Sequence, residues 1–112
     1  MRIDEYQTVE GKCPFKIWFD NLDTQTARII NRVLARIEDG NTSNIKGVGD
    51  GVFERVIDHG PGYRIYFGKE GAELIVLLGG GSKKWQPKDI KQAKLLWKEY
   101  KHNKKPKEKI WH

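Results

Sequence analysis

A single cysteine, Cys13, stands in the chain, so no internal disulfide can form, and the residue is read as a small half-buried side chain in a reducing compartment. Long apolar runs are missing too. The longest lies within Ala72 to Leu78, far short of the roughly 20 residues a membrane-spanning helix needs, and Met1-Arg2-Ile3-Asp4-Glu5 is too charged for a secretory leader. These absences point to a soluble, cytoplasmic protein with no membrane partner. Three histidines and one cysteine do not furnish a credible zinc set, so no metal is expected. Gly79-Gly80-Gly81-Ser82-Lys83-Lys84 has the wrong spacing for a phosphate-cradling loop, and no cofactor is expected either. Nor is a serine or cysteine triad legible, because no histidine accompanies Cys13 in a recognisable pattern.

What the chain does have is basic charge. Its 112 residues suffice for one domain with a single core, and they carry a formal net charge of +6. The charge is unevenly spread. Asp4, Glu5, Asp20, Asp23, Glu38 and Asp39 fall in the first half, whereas eleven lysines lie from Lys83 onward. Such asymmetry favours an anionic partner near the C-terminal third, although charge alone argues solubility as much as function.

Taken in order, Arg2 to Val9 reads as a first strand, and Pro14 opens a short helix to Leu22 with Phe15, Trp18, Phe19 and Leu22 at helical spacing. Asp23 is placed to cap a second helix that Gly40-Asn41 ends, with Ala27, Ile30, Leu34 and Ile37 as its buried stripe and Val33 at the flank. Arg28, Arg32 and Arg36 turn outward, as a solvated face or as a contact with RNA or an acidic partner. Thr42 to Gly51 reads as a loop. Val52 to Ile57, Tyr63 to Phe67 and Ala72 to Leu78 read as three strands, the last ending in a flexible Gly79-Gly80-Gly81 loop. Pro87 and Asp89 then start a helix whose apolar face is Ile90, Ala93, Leu96, Trp97 and Tyr100. From Lys101 to His112 no periodicity is left, and a basic, mobile tail is expected, with Ile110-Trp111 as a possible docking point. The order β-α-α-β-β-β-α argues an α+β fold on a mostly antiparallel four-stranded sheet.

The chemistry is concentrated in the meander. Arg55 and Arg64 lie in two strands of an expected hairpin, and Lys83 and Lys84 follow the third. Side chains alternate faces along a strand, so the two arginines meet only if an even number of residues separates the paired strand ends. If they do meet beside Lys83, the cluster suits a phosphate and the negative charge that develops on it.

Phe53-Glu54-Arg55, Gly60-Pro61-Gly62-Tyr63-Arg64-Ile65-Tyr66-Phe67, Gly80-Gly81-Ser82-Lys83, Gln86, Asp89-Ile90 and Ala93 together resemble the phage-derived addiction-module killer proteins. These are HigB-like toxins of the RelE/ParE superfamily in type II toxin-antitoxin systems. The likeness extends over Tyr6 to Tyr100, with Pro14-Phe15, Trp18-Phe19 and Gly40-Asn41 in step. It implies a RelE/ParE-like, microbial-RNase-type fold over residues 1–100, with 101–112 as the tail. It also implies an endoribonuclease that cuts mRNA on the ribosome without a metal, the 2′-hydroxyl attacking the adjacent phosphate, and so inhibits translation. By position in the family pattern, Arg55 and Arg64 stabilise the phosphate, and Lys83 handles a proton or adds electrostatic stabilisation. Lys84, Trp85, Tyr63 and Tyr100 are the candidate RNA contacts, the aromatics by stacking on bases.

The resemblance has one departure. Many relatives carry Asp where Ser82 stands, and other branches place His or Glu in the site, leaving the general base open unless Glu54 turns inward. Two other readings compete: a toxin of the same fold that poisons gyrase by protein binding, as in the ParE branch, and a non-catalytic RNA-binding module. The implied partners are mRNA, the ribosome and a cognate antitoxin, expected to be a helix-turn-helix protein.

Overall fold

The computed structural model describes residues 1–109, with side chains through residue 103. Along it run β1 (Arg2–Glu5), α1 (Pro14–Asp20), α2 (Thr24–Glu38), β2 (Ile45–Gly49), β3 (Val52–Ile57), β4 (Tyr63–Glu70) and β5 (Leu74–Ser82). A single 3-10 turn, Lys83–Trp85, leads into α3 (Gln86–Lys109). The strands form one sheet in the order β1-β5-β4-β3-β2. Every pairing is antiparallel except β1 with β5, giving an α+β fold on a mixed, mostly antiparallel sheet.

Five strands therefore stand where four were expected. The additional one, β2, occupies the stretch read as a loop. Its signal was Asp50-Gly51, a two-residue hairpin connection in which both residues have positive φ, 56° and 82°. Asp-Gly is a favoured pair for that turn, because its two positive φ angles match the twist of the flanking strands. A second correction concerns Gly79-Gly80-Gly81, which lies inside β5 rather than in a loop after it. Two of these glycines are needed for close approach. A Cβ on Gly80 would overlap the Trp18 ring, and one on Gly81 would overlap the Asp89 carboxylate.

Two cores sit on opposite faces of the sheet. On one, Phe15 of α1 and Ile30, Val33 and Ile37 of α2 pack on Ile57, Ile65, Phe67, Ile75 and Leu77. On the other, Ala93, Leu96 and Trp97 of α3 pack with Tyr6, Val52, Tyr66, Val76 and Leu78. The α2 stripe is turned slightly from its expected line, with Val33 buried and Leu34 half-buried, while Arg28, Arg32 and Arg36 are exposed as expected. Asp23 caps this helix, its carboxylate accepting from the Thr26 hydroxyl at 2.5 Å and the Thr26 amide at 3.1 Å. Pro87 and Asp89 lie in the first turn of α3, which runs on to Lys109 through most of the stretch expected as a tail. The docking point at Ile110-Trp111 lies outside the described residues.

Candidate functional site

Register decides which charged side chains meet. In the β3–β4 hairpin Ile57 pairs with Tyr63, which leaves five residues, Asp58 to Gly62, in the turn. That odd number sends Arg55 and Arg64 to opposite faces, because Arg55 pairs with Ile65 while Arg64 pairs with Val56. The condition for a joint arginine site is not met. Arg55 lies on the α1/α2 side of the sheet, buried, with Nη1 donating to the Val56 carbonyl. Burial first, and the nearby Arg36 charge second, lower its proton affinity.

On the α3 side the same register assembles a different group. Lys46, Glu54, Tyr66 and Gly79 form one cross-strand row, and Val56, Arg64 and Gly81 form the next. Glu54 and Arg64 are thus diagonal neighbours, a separation that long side chains span. Glu54 is 0% exposed and Arg64 8%. The Glu54 carboxylate is 3.4 Å from Arg64 Nε and 3.6 Å from Lys46 Nζ, and it accepts from Gln86 Nε2, at the start of α3, at 2.8 Å. Burying a carboxylate without such partners would cost several kcal/mol, so the three neighbours are what make this position tenable. Tyr66 lies in the same layer. Its hydroxyl is held well above the ordinary tyrosine range by burial, and next by the Glu54 charge.

This polar layer opens into a cleft of about 620 Å³ whose lining includes Lys46, Arg64 and Lys83, with Asn44, Asp58 and Gly62. Three strands or turns each supply one cation. Lys83 is positioned by its own backbone, because its amide donates to the Gly62 carbonyl at 2.8 Å and so ties the 3-10 turn to the hairpin loop. Gly62 has φ +80°, and a Cβ there would lie 3.6 Å from Lys83 Cβ and 3.7 Å from Arg64 Nη1. Arg64 Nε and Nη1 are buried and make no hydrogen bond among the described residues. A buried guanidinium with unfilled donors, beside two lysines, is a site for an oxyanion such as a phosphate group.

Of the candidate residues, then, the structure brings Arg64 and Lys83 together and leaves Arg55 on the far face. Lys84 and Trp85 adjoin Lys83. Trp85 is 54% exposed, with Lys84 Nζ 5.2 Å and Lys88 Nζ 6.0 Å from its ring centroid, so it is open to stacking. Tyr63 lies on the α1/α2 side, its ring 6.4 Å from that of Trp18 and 6.3 Å from His59. Tyr100 packs in the α3 core, stacked 5.1 Å from Trp97 and edge-on to Tyr6. Neither ring lines the cleft. Lys46 and Asp58 are the charged lining residues that sequence reasoning missed, Lys46 because its strand was read as a loop. Cys13 is half-buried, its thiol donating to Glu5 at 3.4 Å, and burial pushes its proton affinity up, the opposite of what a nucleophile needs.

No family model matches the chain. Over 86 residues it is 46% identical to an uncharacterized protein of Haemophilus influenzae, an alignment that covers 76% of this chain and 87% of the relative. The chain belongs to that protein's family. That relative brings no functional description with it, so the reading of the cleft rests on the geometry above.

Proposed function

We propose that this protein is the toxin of a type II toxin-antitoxin system, a RelE/ParE-like endoribonuclease that cleaves mRNA on the ribosome. What carries the reading is the convergence of Arg64, Lys83 and Lys46 on one cleft, with buried guanidinium donors left unfilled. In the reaction the 2′-hydroxyl of one nucleotide loses its proton and attacks the adjacent phosphorus, giving a 2′,3′-cyclic phosphate. The departing 5′-oxygen takes up a proton. Arg64, Lys46 and Lys83 stabilise the charge that gathers on the phosphoryl oxygens, work worth about 100-fold or more in rate per well-placed donor. Asp58 is the carboxylate at the cleft and the candidate proton acceptor, while Lys83, exposed, is placed to protonate the leaving oxygen. Trp85 offers a stacking platform beside the phosphate site. A cognate antitoxin, of the helix-turn-helix class, would silence the protein by covering the cleft or blocking its entry to the ribosome.

One observation favours a second reading. Arg55 is absent from the cleft, which leaves the site with one of the two expected arginines and suits binding without cleavage, to gyrase or to RNA. Mapping the 5′ ends of transcripts after brief induction, alongside a gyrase supercoiling assay, separates the two. Under the first reading new 5′ ends appear, and Arg64→Ala and Lys83→Ala each reduce them by about 100-fold or more while circular dichroism stays native. Intact transcripts with inhibited supercoiling, or toxicity unchanged in both variants, would overturn it.

A further inference from the structure

We infer that Glu54 is the positioning residue of the cleft: its buried carboxylate holds Arg64 and Lys46 so that the guanidinium presents its Nη edge to a phosphate group. This deepens the anion-site reading and rests on it. An arginine that meets a lone carboxylate usually gives it two parallel N–H donors, which occupies one whole edge of the fork. Here that does not happen. Glu54 Oε2 is shared between Gln86 Nε2 at 2.8 Å and Arg64 Nε at 3.4 Å, and Oε1 faces Lys46 Nζ at 3.6 Å. Arg64 Nη1 is buried and unpartnered among the described residues, 3.7 Å from where a Gly62 Cβ would stand on the cleft wall. The carboxylate stands at ion-pair distance from the stem nitrogen, without a hydrogen bond, and leaves Nη1 for something else. Gln86, arriving from α3, donates to the same oxygen, Oε2, that faces Arg64 Nε, and so competes with the arginine for that oxygen.

Charge and aim predict opposite outcomes when Glu54 is changed, which makes the idea testable. Glu54→Gln removes a negative charge next to the cleft. If only local potential mattered, phosphate would bind more tightly. If Glu54 aims the arginine, phosphate binds less tightly despite the gain in positive charge, because the freed guanidinium no longer holds its edge to the cleft. The measurement is titration of the full chain with inorganic phosphate, followed by the 15N–1H resonance of Arg64 Nε, with urea unfolding as the check on folding. In the native protein that resonance should be protected from exchange and should shift with phosphate. In Glu54→Gln protection should be lost and the phosphate dissociation constant should rise at least about tenfold, the loss of one well-aimed charge-assisted contact.

Should Glu54→Gln fail to fold, Glu54→Asp keeps the charge and withdraws it by one methylene, and should weaken phosphate binding by a smaller factor at near-native stability. Equal or tighter binding in whichever variant folds overturns the inference. The RNase reading fails separately. If phosphate binding depends on Glu54 but transcripts stay intact, the positioning role stands and cleavage falls. If transcripts are cut and Glu54→Gln binds phosphate as the native protein does, cleavage stands and the positioning role falls. A native Arg64 resonance indifferent to phosphate overturns both the inference and the anion site beneath it.

Discussion

Under α1 and α2 the sheet buries Ile57, Ile65, Phe67, Ile75 and Leu77, and the polar strand side chain on that side, Arg55, donates to the Val56 carbonyl of its own strand. Under α3 the same strands bury Glu54, Arg64 and Tyr66 among Val52, Val76 and Leu78. The two faces come from one set of alternating strands, so neighbouring residues in sequence serve opposite ends. The apolar face is close-packed and non-directional, and it supplies stability. The polar one supplies orientation: each buried charge there is held by another, at the cost of desolvation that an apolar side chain would not have incurred. The division teaches that the buried charges gather on the face whose core is worse by hydrophobic measures.

The widest test of that division is Ile30→Ala, at a side chain that is 0% exposed in the first core. Truncation there should cost about 2–5 kcal/mol, the transfer loss plus the cavity left behind, read as a lowered urea midpoint. Under conditions where the variant is still folded, its phosphate titration at Arg64 should match that of the native protein. Weakened phosphate binding by a folded Ile30→Ala protein would break the comparison, since it would make the apolar face part of the site.

A finer pair compares the faces at adjacent positions of one strand. Gly80 packs under the Trp18 ring and Gly81 under the Asp89 carboxylate, on opposite sides of β5. Gly80→Ala drives a methyl group into a rigid indole and should cost about 1–3 kcal/mol by overpacking. Gly81→Ala meets the end of a short side chain that can rotate away, so its cost should be smaller. Urea unfolding of the two single variants decides the order, and a larger loss at Gly81 would show that the α3 side is the more tightly packed.

How much of this was legible follows from what kind of interaction sets each feature. Asp23 as the cap of α2, the apolar face of α3 and the β3–β4 hairpin are local patterns and could be read directly. The side on which Arg55 falls depends on a turn of five residues, and a turn one residue longer or shorter would have reversed it. The glycine run was read for flexibility, whereas Gly80 and Gly81 answer to packing, with Trp18 reaching the backbone from a helix distant in sequence and Asp89 from the helix that follows the strand. For β2 the information was present, since Asp50-Gly51 joins two β-rich segments, but three glycines nearby argued for a loop and won. Losing that strand hid Lys46, and with it one of the ion pairs made by the buried Glu54.

The smallest effects lie in two aspartates that flank the sheet and titrate in opposite senses. Asp23 accepts hydrogen bonds first from the Thr26 hydroxyl and then from its amide, and both hold its proton affinity below the ordinary carboxylate value of 3.8. A folded-state value below the unfolded one contributes stability that is present above 3.8 and is lost as pH falls through the lower, folded value. Asp89 is displaced upward by burial against the sheet, with Lys88 offsetting part of it. Its folded form takes up a proton before its unfolded form does, so stability is regained as pH falls through the raised value and levels off below 3.8. Urea midpoints of native protein, Asp23→Asn and Asp89→Asn across this range should therefore separate the two. Relative to Asp89→Asn the native protein should improve first on acidification, and relative to Asp23→Asn it should worsen only afterwards, below 3.8. Asparagine still caps a helix, so the second difference isolates the charge rather than the cap. If the Asp89→Asn difference is flat with pH, the carboxylate is better solvated than its place over Gly81 implies, and the α3 face is less closed around its polar layer than the contrast with the α1/α2 face requires.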